Sequence, residues 1–591
     1  MSSRNQPEDR PIEITHSDYG RIPEHGALPA RGAEPRERSR VIDHTKPGRG
    51  AAADAGQHGD ESLFRRRLMV CLALSLPVLL YSDLPQMVLH LGMPPFPGSV
   101  WIAPLFSIAV LAYGGLPFLQ RAIPELQERR PGGMMLIALA ILAASVYIIA
   151  SLLTGVGSGS FWEWVSLIDM LLLGRWLEMR SVRQASGSLE ELAGLLPDTA
   201  ERILPDGALE TIRVRQLRPG YLILVRPGDA IAADGEVVEG ESEVNEAQVT
   251  GTLSMKKGPG SSVIAGTLNV EKSLRVKATA AGDQTLLANI TRLALEAQQN
   301  KSPRQAQADR AGAWLVYATL AVAAVTALAW GLAQGWNLGI LLRVAAVFVI
   351  VNPDALTLTI PLVIAVAVPF GARNGILIRN RRALEAARNV QVVMFDQAVL
   401  APGGVPRAES KQVVQALGKM GMEVVLLTGD SDAAAQGVAQ GLGIDRYFAQ
   451  VSPEQKSEKV TELETAGKHV AMVSPGRDDA PALAAASVGI VAPALGGGAR
   501  DQTESASIVL TGENPLAVVR VIELSRASER TINQNLAWAA GYHLVALPLA
   551  AGLLAPMGIL LSPVIGAALM ALCAILVALN TQRLRRAQRV T

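Results

Sequence analysis

The chain has 591 residues, 49% of them hydrophobic and 18% charged, with a mean hydropathy of +0.27. That is too apolar for an ordinary soluble enzyme and indicates a membrane protein with soluble parts. A net charge of +1 gives no basic field for nucleic acid, and Cys71 and Cys573 both lie in apolar runs, which excludes a disulfide framework and a soluble Cys-x-x-Cys metal module.

Residues 1–62 are rich in Pro, Gly, Arg and acids, and no secretory signal opens them, so a disordered cytosolic tail is expected. The tail carries His16, His25, His44 and His58, whose wide spacing argues for scattered solvated histidines over a fixed metal site. Apolar stretches then follow at 66–84, 100–119, 133–154, 161–178, 312–334, 339–369, 536–555 and 559–580. Each approaches the ~20 residues needed to span a bilayer, which predicts an eight-helix transmembrane bundle. The fourth is short and contains Glu163 and Asp169; the sixth is broken by Pro353 and Pro361, with Arg343 near its outer end where it can snorkel. Arg65 to Arg67, Arg121 to Arg130, Arg175 to Arg183, Arg373 to Arg388 and Arg583 to Arg589 all fall on one side. The positive-inside rule makes that side cytoplasmic, so a multi-pass protein of the inner (plasma) membrane is expected, with both termini and both large loops in the cytoplasm.

Transmembrane segments one to four are expected within 63–178 and the first large loop within 179–311. Short β-branched runs in that loop are punctuated by Pro227-Gly228-Asp229 and Asp234-Gly235, which predicts a small β-rich domain. Segments five and six fall within 312–370, the second large loop within 371–535, and segments seven and eight within 536–591. The second loop alternates apolar strands, at 391–395, 423–427, 469–473 and 488–492, with amphipathic helices such as 409–420 and 453–466. This predicts a doubly wound parallel sheet, whose ligands bind at the carboxyl ends of the strands. Asp396, Thr428-Gly429-Asp430 and Asp478-Asp479 all follow strands closely and should converge on one crevice.

Val392 to Asp396 followed by Gln397-Ala398-Val399 resembles the D-K-T-G-T phosphorylation motif of the P-type ATPases. Tyr113-Gly114-Gly115, Pro227-Gly228-Asp229, Asp234-Gly235, Thr428-Gly429-Asp430, Pro453-Glu454-Gln455-Lys456 and Asp479-Ala480-Pro481-Ala482-Leu483 extend the resemblance from about Phe64 to the end. As a set they resemble the heavy-metal-transporting branch, and within it the bacterial copper pumps with a histidine-rich tail. The resemblance implies a cytosolic actuator domain in the first loop and an α/β haloacid dehalogenase-like domain in the second. It implies Asp396, Thr428, Asp430, Lys456 and Asp479 as catalytic positions, and Mg²⁺ and ATP as cofactors.

The departures from the family pattern are as informative. The lysine after the phosphorylated aspartate is Gln397, and the Mg²⁺-holding threonine is Ala398. The G-D-G-x-N-D string reads Ser474-Pro475-Gly476-Arg477-Asp478-Asp479, so proline replaces the main Mg²⁺ carboxylate, and the actuator's T-G-E reads Thr250-Gly251-Thr252. Roughly 30 residues, Gln397 to Val425, stand where the family inserts a nucleotide-binding domain, too few for a domain. Phosphoryl transfer is mostly positioning and charge stabilisation, so these losses are expected to silence it. A phosphatase of the haloacid dehalogenase type meets the same obstacle, because Ala398 and Pro475 supply neither the second acid nor the Mg²⁺ carboxylate.

In the membrane, the family's C-P-C or C-P-H string reads Asn352-Pro353-Asp354. Proline keeps the helix break, and an acid within a membrane segment is a candidate functional residue. The resemblance places Tyr542, His543 and Met570 beside it, with Cys573 nearby, and Glu163 on an exit path. Asp354 with His543 is expected to form either an ion pair or, with Tyr542 and Met570, a site for copper or another transition metal. The expected role is a catalytically inactive pseudo-pump with a metal-binding, regulatory or assembly function. Its partners would be the lipid bilayer and an intact metal pump or cuproenzyme assembly factor, with no nucleic acid. The competing expectation is an active ATP-driven heavy-metal exporter.

Overall fold

The computed structural model describes residues 49–82, 97–128, 131–154, 161–186, 194–246, 255–289, 291–292, 302–493, 506–512 and 514–587. Most of the expected tail, most of the loop at 85–99, the loop at 155–160, and Thr250-Gly251-Thr252 lie outside these residues. Among the described residues, four α-helices come first: α1 (Arg49–Leu80), α2 (Ile102–Gln127), α3 (Gly133–Thr154) and α4 (Phe161–Ser186). α1 begins inside the segment expected to be unstructured, because Ala51-Ala52-Ala53-Asp54-Ala55 is a strong helix-forming run. α2 runs unbroken through Gly114, where an added Cβ would stand 2.6 Å from Ile168 Cγ2 and 2.8 Å from Cys71 Sγ. The missing side chain lets α1 and α4 close on α2.

Among the described residues, the β-rich domain has nine strands: β1 (Thr199–Ile203), β2 (Leu209–Arg213), β3 (Leu222–Val225), β4 (Asp234–Glu239), β5 (Ser242–Asn245), β6 (Met255–Lys257), β7 (Ser262–Val263), β8 (Leu268–Asn269) and β9 (Leu274–Ala280). They form a six-stranded sheet, β2-β1-β3-β9-β4-β7, and a three-stranded one, β6-β5-β8. Leu274, Val276, Ala278 and Ala280 of β9 are buried and the residues between them exposed, the alternation of a half-buried strand. Asp234 is the domain's buried tie: Ala265 N–H donates to its Oδ1 at 2.8 Å and Leu286 N–H to its Oδ2 at 2.7 Å. Asp234→Ala strands two amides. It should cost about 2 kcal/mol or more and speed hydrogen exchange at Ala265 and Leu286.

The chain returns through α5 (Pro303–Gln334), α6 (Gly339–Ile350), α7 (Asp354–Thr357) and α8 (Thr359–Arg373). The second loop contributes β10 (Ile376–Ile378), α9 (Arg381–Ala387), β11 (Val392–Asp396), α10 (Gln397–Leu400), α11 (Ser410–Lys419), β12 (Glu423–Leu427), α12 (Asp432–Leu442), β13 (Arg446–Phe448), α13 (Pro453–Thr465), β14 (Val470–Ser474), α14 (Ala480–Ala485), β15 (Val488–Val491) and β16 (Ile508–Leu510). The sheet order is β10-β16-β15-β14-β11-β12-β13. Among the described residues, every pairing is parallel except the edge pair β10–β16, so the expected parallel sheet carries one antiparallel edge strand. Only α10, a short turn and α11 connect β11 to β12, and no further domain stands between them.

α15 (Leu516–Ala551) and α16 (Pro563–Ala587) complete the bundle, with α16 packed on α4, α6, α8 and α15. Among the described residues, five stretches are long and apolar enough to cross a membrane: Ser99–Gln127, Gly133–Thr154, Pro303–Gln334, Gly339–Arg373 and Pro563–Leu584. The other three expected segments lie in α1, α4 and α15. α1 and α15 run from charged into apolar sequence, and α4 carries Glu163, Asp169, Arg175 and Glu178.

Candidate phosphorylation site and membrane site

The adjacent parallel strands β14, β11 and β12 end together, so the loops after them share one crevice. Asp396 closes β11 and caps α10, accepting from Ala398 N–H at 2.8 Å. Lys456 enters from α13, whose start is fixed by a Ser452–Gln455 capping box and Pro453. Its ammonium donates to Asp396 Oδ2 at 2.5 Å and to Asp479 Oδ1 at 3.0 Å. Ser474 Oγ, at a glycine position of the family string, donates to Asp479 Oδ2 at 2.5 Å. Gln397 Nε2 donates to Asp430 Oδ2 at 2.6 Å, and Thr428 Oγ1 accepts from Asp430 N–H at 3.0 Å. Asp396, Gln397, Thr428, Lys456 and Asp479 are all buried. All five expected catalytic positions therefore meet in one crevice.

The electrostatics are those of two carboxylates sharing one ammonium. Burial raises the Asp396 carboxyl above its ordinary range, and the charge and hydrogen bond of Lys456 only partly offset it. Burial opposes the Lys456 charge, but Asp396 and Asp479 outweigh it and hold the ammonium above the ordinary lysine value.

This donor set does not fit Mg²⁺. The ion wants near-octahedral oxygen ligands. Here one oxygen of Asp396 is committed to Lys456, Asp479 to Lys456 and Ser474, and Asp430 to Gln397. Position 475 is a proline with no side-chain oxygen to offer. Sequence reasoning found the substitutions but missed their consequence: Gln397 and Ser474 have become partners of the very acids the chemistry would need free.

The membrane site is built around the break between α6 and α7. Val351 is extended and Asn352 and Pro353 are outside any helix, as the proline requires. A broken helix exposes backbone groups that a bilayer cannot satisfy. α15 supplies the partners. Tyr542 Oη donates to Ile350 C=O at 2.8 Å, and Asn352 N–H donates to His543 Nε2 at 3.0 Å. The other ring nitrogen, Nδ1, lies 2.5 Å from Ala539 C=O and must be its donor, so His543 is the neutral Nδ1–H tautomer.

Asp354 does not pair with His543. Its carboxylate takes Arg175 Nη1 of α4 at 3.2 Å, and the same nitrogen binds Glu178 at 2.9 Å. The small cavity beside Asp354 is lined by Glu178, Asn352 and Ala355, and not by Tyr542, His543 or Met570. Met570 is buried in the bundle core against Gly174, and Cys573 packs with Ala355 and Ala539. Among the described residues, no group of three or more His, Cys, Asp and Glu is placed to hold a metal ion. The expected mixed site is thus dispersed: an unwound backbone claims Tyr542 and His543, and a half-buried arginine claims Asp354. Arg175 was overlooked in the sequence because it read as part of the positive cytoplasmic flank. His543→Ala leaves the Asn352 amide without its partner and should cost about 1–3 kcal/mol in thermal unfolding in detergent.

Comparison with known proteins agrees with this architecture. A family profile for the P-type ATPase actuator domain matches residues 194–295, and one for haloacid dehalogenase-like hydrolases matches residues 353–487. The chain is 36% identical to Copper-exporting P-type ATPase B of Archaeoglobus fulgidus, over 88% of this chain and 92% of that protein. It is 31% identical to Copper-exporting P-type ATPase B of Enterococcus hirae, over 88% of this chain and 86% of that one. It is 30% identical to a Silver exporting P-type ATPase of Salmonella typhimurium, over 90% of this chain and 81% of that protein. The first alignment runs over 641 positions but uses 88% of 591 residues, about 520, so about 120 positions of the relative have no counterpart here. With an actuator domain, a haloacid dehalogenase-like domain joined to a membrane bundle, and relatives matched nearly end to end, the chain belongs to the heavy-metal, copper-type branch of the P-type ATPase family.

Proposed function

We propose that this chain is a catalytically silent member of its family, a pseudo-pump. It retains eight membrane segments, with both termini and both large loops on the cytoplasmic side of the inner (plasma) membrane. It acts as a regulatory or assembly subunit beside an intact metal pump or a cuproenzyme assembly factor. The observation that carries the reading is the closed polar network in the crevice. Lys456 bridges Asp396 and Asp479, Gln397 ties Asp430, and Pro475 stands where a Mg²⁺ carboxylate is needed. Phosphoryl transfer depends on metal and positioned cations around the aspartate, and here Lys456, Asp396, Asp479 and Asp430 are already engaged with protein partners. The short connection from β11 to β12 supports the same conclusion, because it leaves no domain to hold a nucleotide.

The membrane site supports a structural role for the Asn352-Pro353-Asp354 break. The test is transport itself. The full chain in sealed proteoliposomes should show no ATP-dependent accumulation of copper(I) and no metal-stimulated ATP hydrolysis. Accumulation that depends on ATP would make the chain an exporter, as its relatives are named, and end this reading.

A further inference from the structure

A cavity of about 690 Å³ lies between α15 and α16 and is walled almost entirely by apolar side chains, among them Val545, Leu549, Leu572 and Leu576. Val545, Leu572 and Leu576 are 62%, 50% and 46% exposed, so the groove opens away from the bundle. It runs along α15 from Gln534 to Leu549, a rise of about 22 Å at 1.5 Å per residue, which is the length of an extended acyl chain.

At its Gln534 end the groove continues into a second cleft, and the two share Gln534 and Ala537. This second cleft is basic. Arg388, Arg526 and Arg530 line it together with one acid, Glu529. Glu529 is already neutralised from two directions, by Arg304 and by Arg388. Among the described residues, Arg526 makes one long bond, 3.5 Å to Met420 C=O, and Arg530 is exposed. Trp538, 66% exposed, stands between the basic cleft and the apolar groove, where an amphipathic ring marks a membrane interface. The order along one helix face is therefore two arginines, an interfacial tryptophan, then an apolar channel.

We propose that this face is a binding site for an anionic phospholipid, with the headgroup phosphate at Arg526 and Arg530 and one acyl chain in the groove. The polarity gradient decides the ligand class. A free anion would use the cleft and leave the groove unexplained, whereas a zwitterionic lipid would fill the groove but bring its own cation beside the phosphate and no net charge to balance the two arginines. Arginine offers the planar fork suited to phosphate oxygens. Gly541 gives the groove its depth: a Cβ there would meet nothing within 4 Å, so a larger side chain enters the groove without clashing.

The test is native mass spectrometry of the full chain in detergent, with phosphatidylglycerol, phosphatidylcholine or inorganic phosphate added. Phosphatidylglycerol should bind as a saturable adduct and phosphatidylcholine only weakly. The double variant R526Q/R530Q should lose about thirtyfold in affinity for phosphatidylglycerol, with phosphatidylcholine unchanged. G541L, which fills the groove while keeping both arginines, should weaken both lipids, and its unfolding midpoint without lipid should match the wild type. Equal binding of the two lipids, indifferent to R526Q/R530Q, would mean non-selective annular lipid and overturn the proposal. Full competition by inorganic phosphate would make the cleft a free-anion site and overturn it as well. So would a dimer that G541L disperses, because the groove would then belong to a second copy.

Discussion

Lys456→Ala should destabilise the protein by about 3–5 kcal/mol, because it leaves Asp396 and Asp479 buried together without their shared cation. Side-chain exposures of 9%, 11% and 6% for Lys456, Asp396 and Asp479 leave little water to take over. Asp396→Asn should cost less, since Lys456 keeps Asp479 and the asparagine side-chain oxygen still accepts from Ala398. The pH dependence follows from the raised pKa of Lys456. Its stabilising contribution is complete below the ordinary 10.5 and is lost as pH rises through the higher folded value. The stability gap between wild type and Lys456→Met should therefore shrink above that pH. Asp396 acts at the other end of the scale. Its folded pKa is also raised, so its own contribution is present below the ordinary carboxyl range and is lost as pH climbs through the raised value. Denaturant midpoints across pH measure both effects, and a gap that is constant with pH would contradict the shared-ammonium description.

Arg175→Met should be comparably severe, again about 3–5 kcal/mol. The arginine side chain is 15% exposed and holds Glu178 and Asp354. Without it two acids face one another, with Glu125 near enough to Asp354 to add repulsion. Asp354→Ala alone should be milder, because Arg175 retains Glu178. Combined with Arg175→Met it should recover part of the loss, since one of the stranded charges is gone. Thermal unfolding of the four proteins in detergent gives the cycle. Strict additivity would mean that Arg175 and Asp354 do not interact as described.

Much of the soluble architecture was legible because its signals are local. The strands at 392–396, 423–427, 470–474 and 488–491 are continuous apolar runs, and α13 announces itself with Ser452-Pro453-Glu454-Gln455. The convergence of Asp396, Thr428, Asp430 and Asp479 followed from parallel strands ending on one edge, whereas Lys456, on a helix, was placed only by the family resemblance. The antiparallel β10 was not legible, since three residues after a membrane helix carry no direction of pairing. The membrane site was misread for a different reason. Side-chain partners in a helical bundle depend on rotation about each helix axis, which the sequence pattern does not resolve when a helix is apolar nearly all round. Asp354 and His543 share a neighbourhood by topology, yet one turns to Arg175 and the other to the backbone at Asn352.

The central claim is that Asp396 is no longer a phosphate acceptor, and an acid quench after exposure to radiolabelled ATP tests it most directly. The full chain in detergent–lipid mixture, incubated with labelled ATP, Mg²⁺ and copper(I), should carry no acid-stable label above that of Asp396→Asn. Label that is present in the wild type, absent in Asp396→Asn, and released by hydroxylamine as an acyl phosphate is would contradict the account.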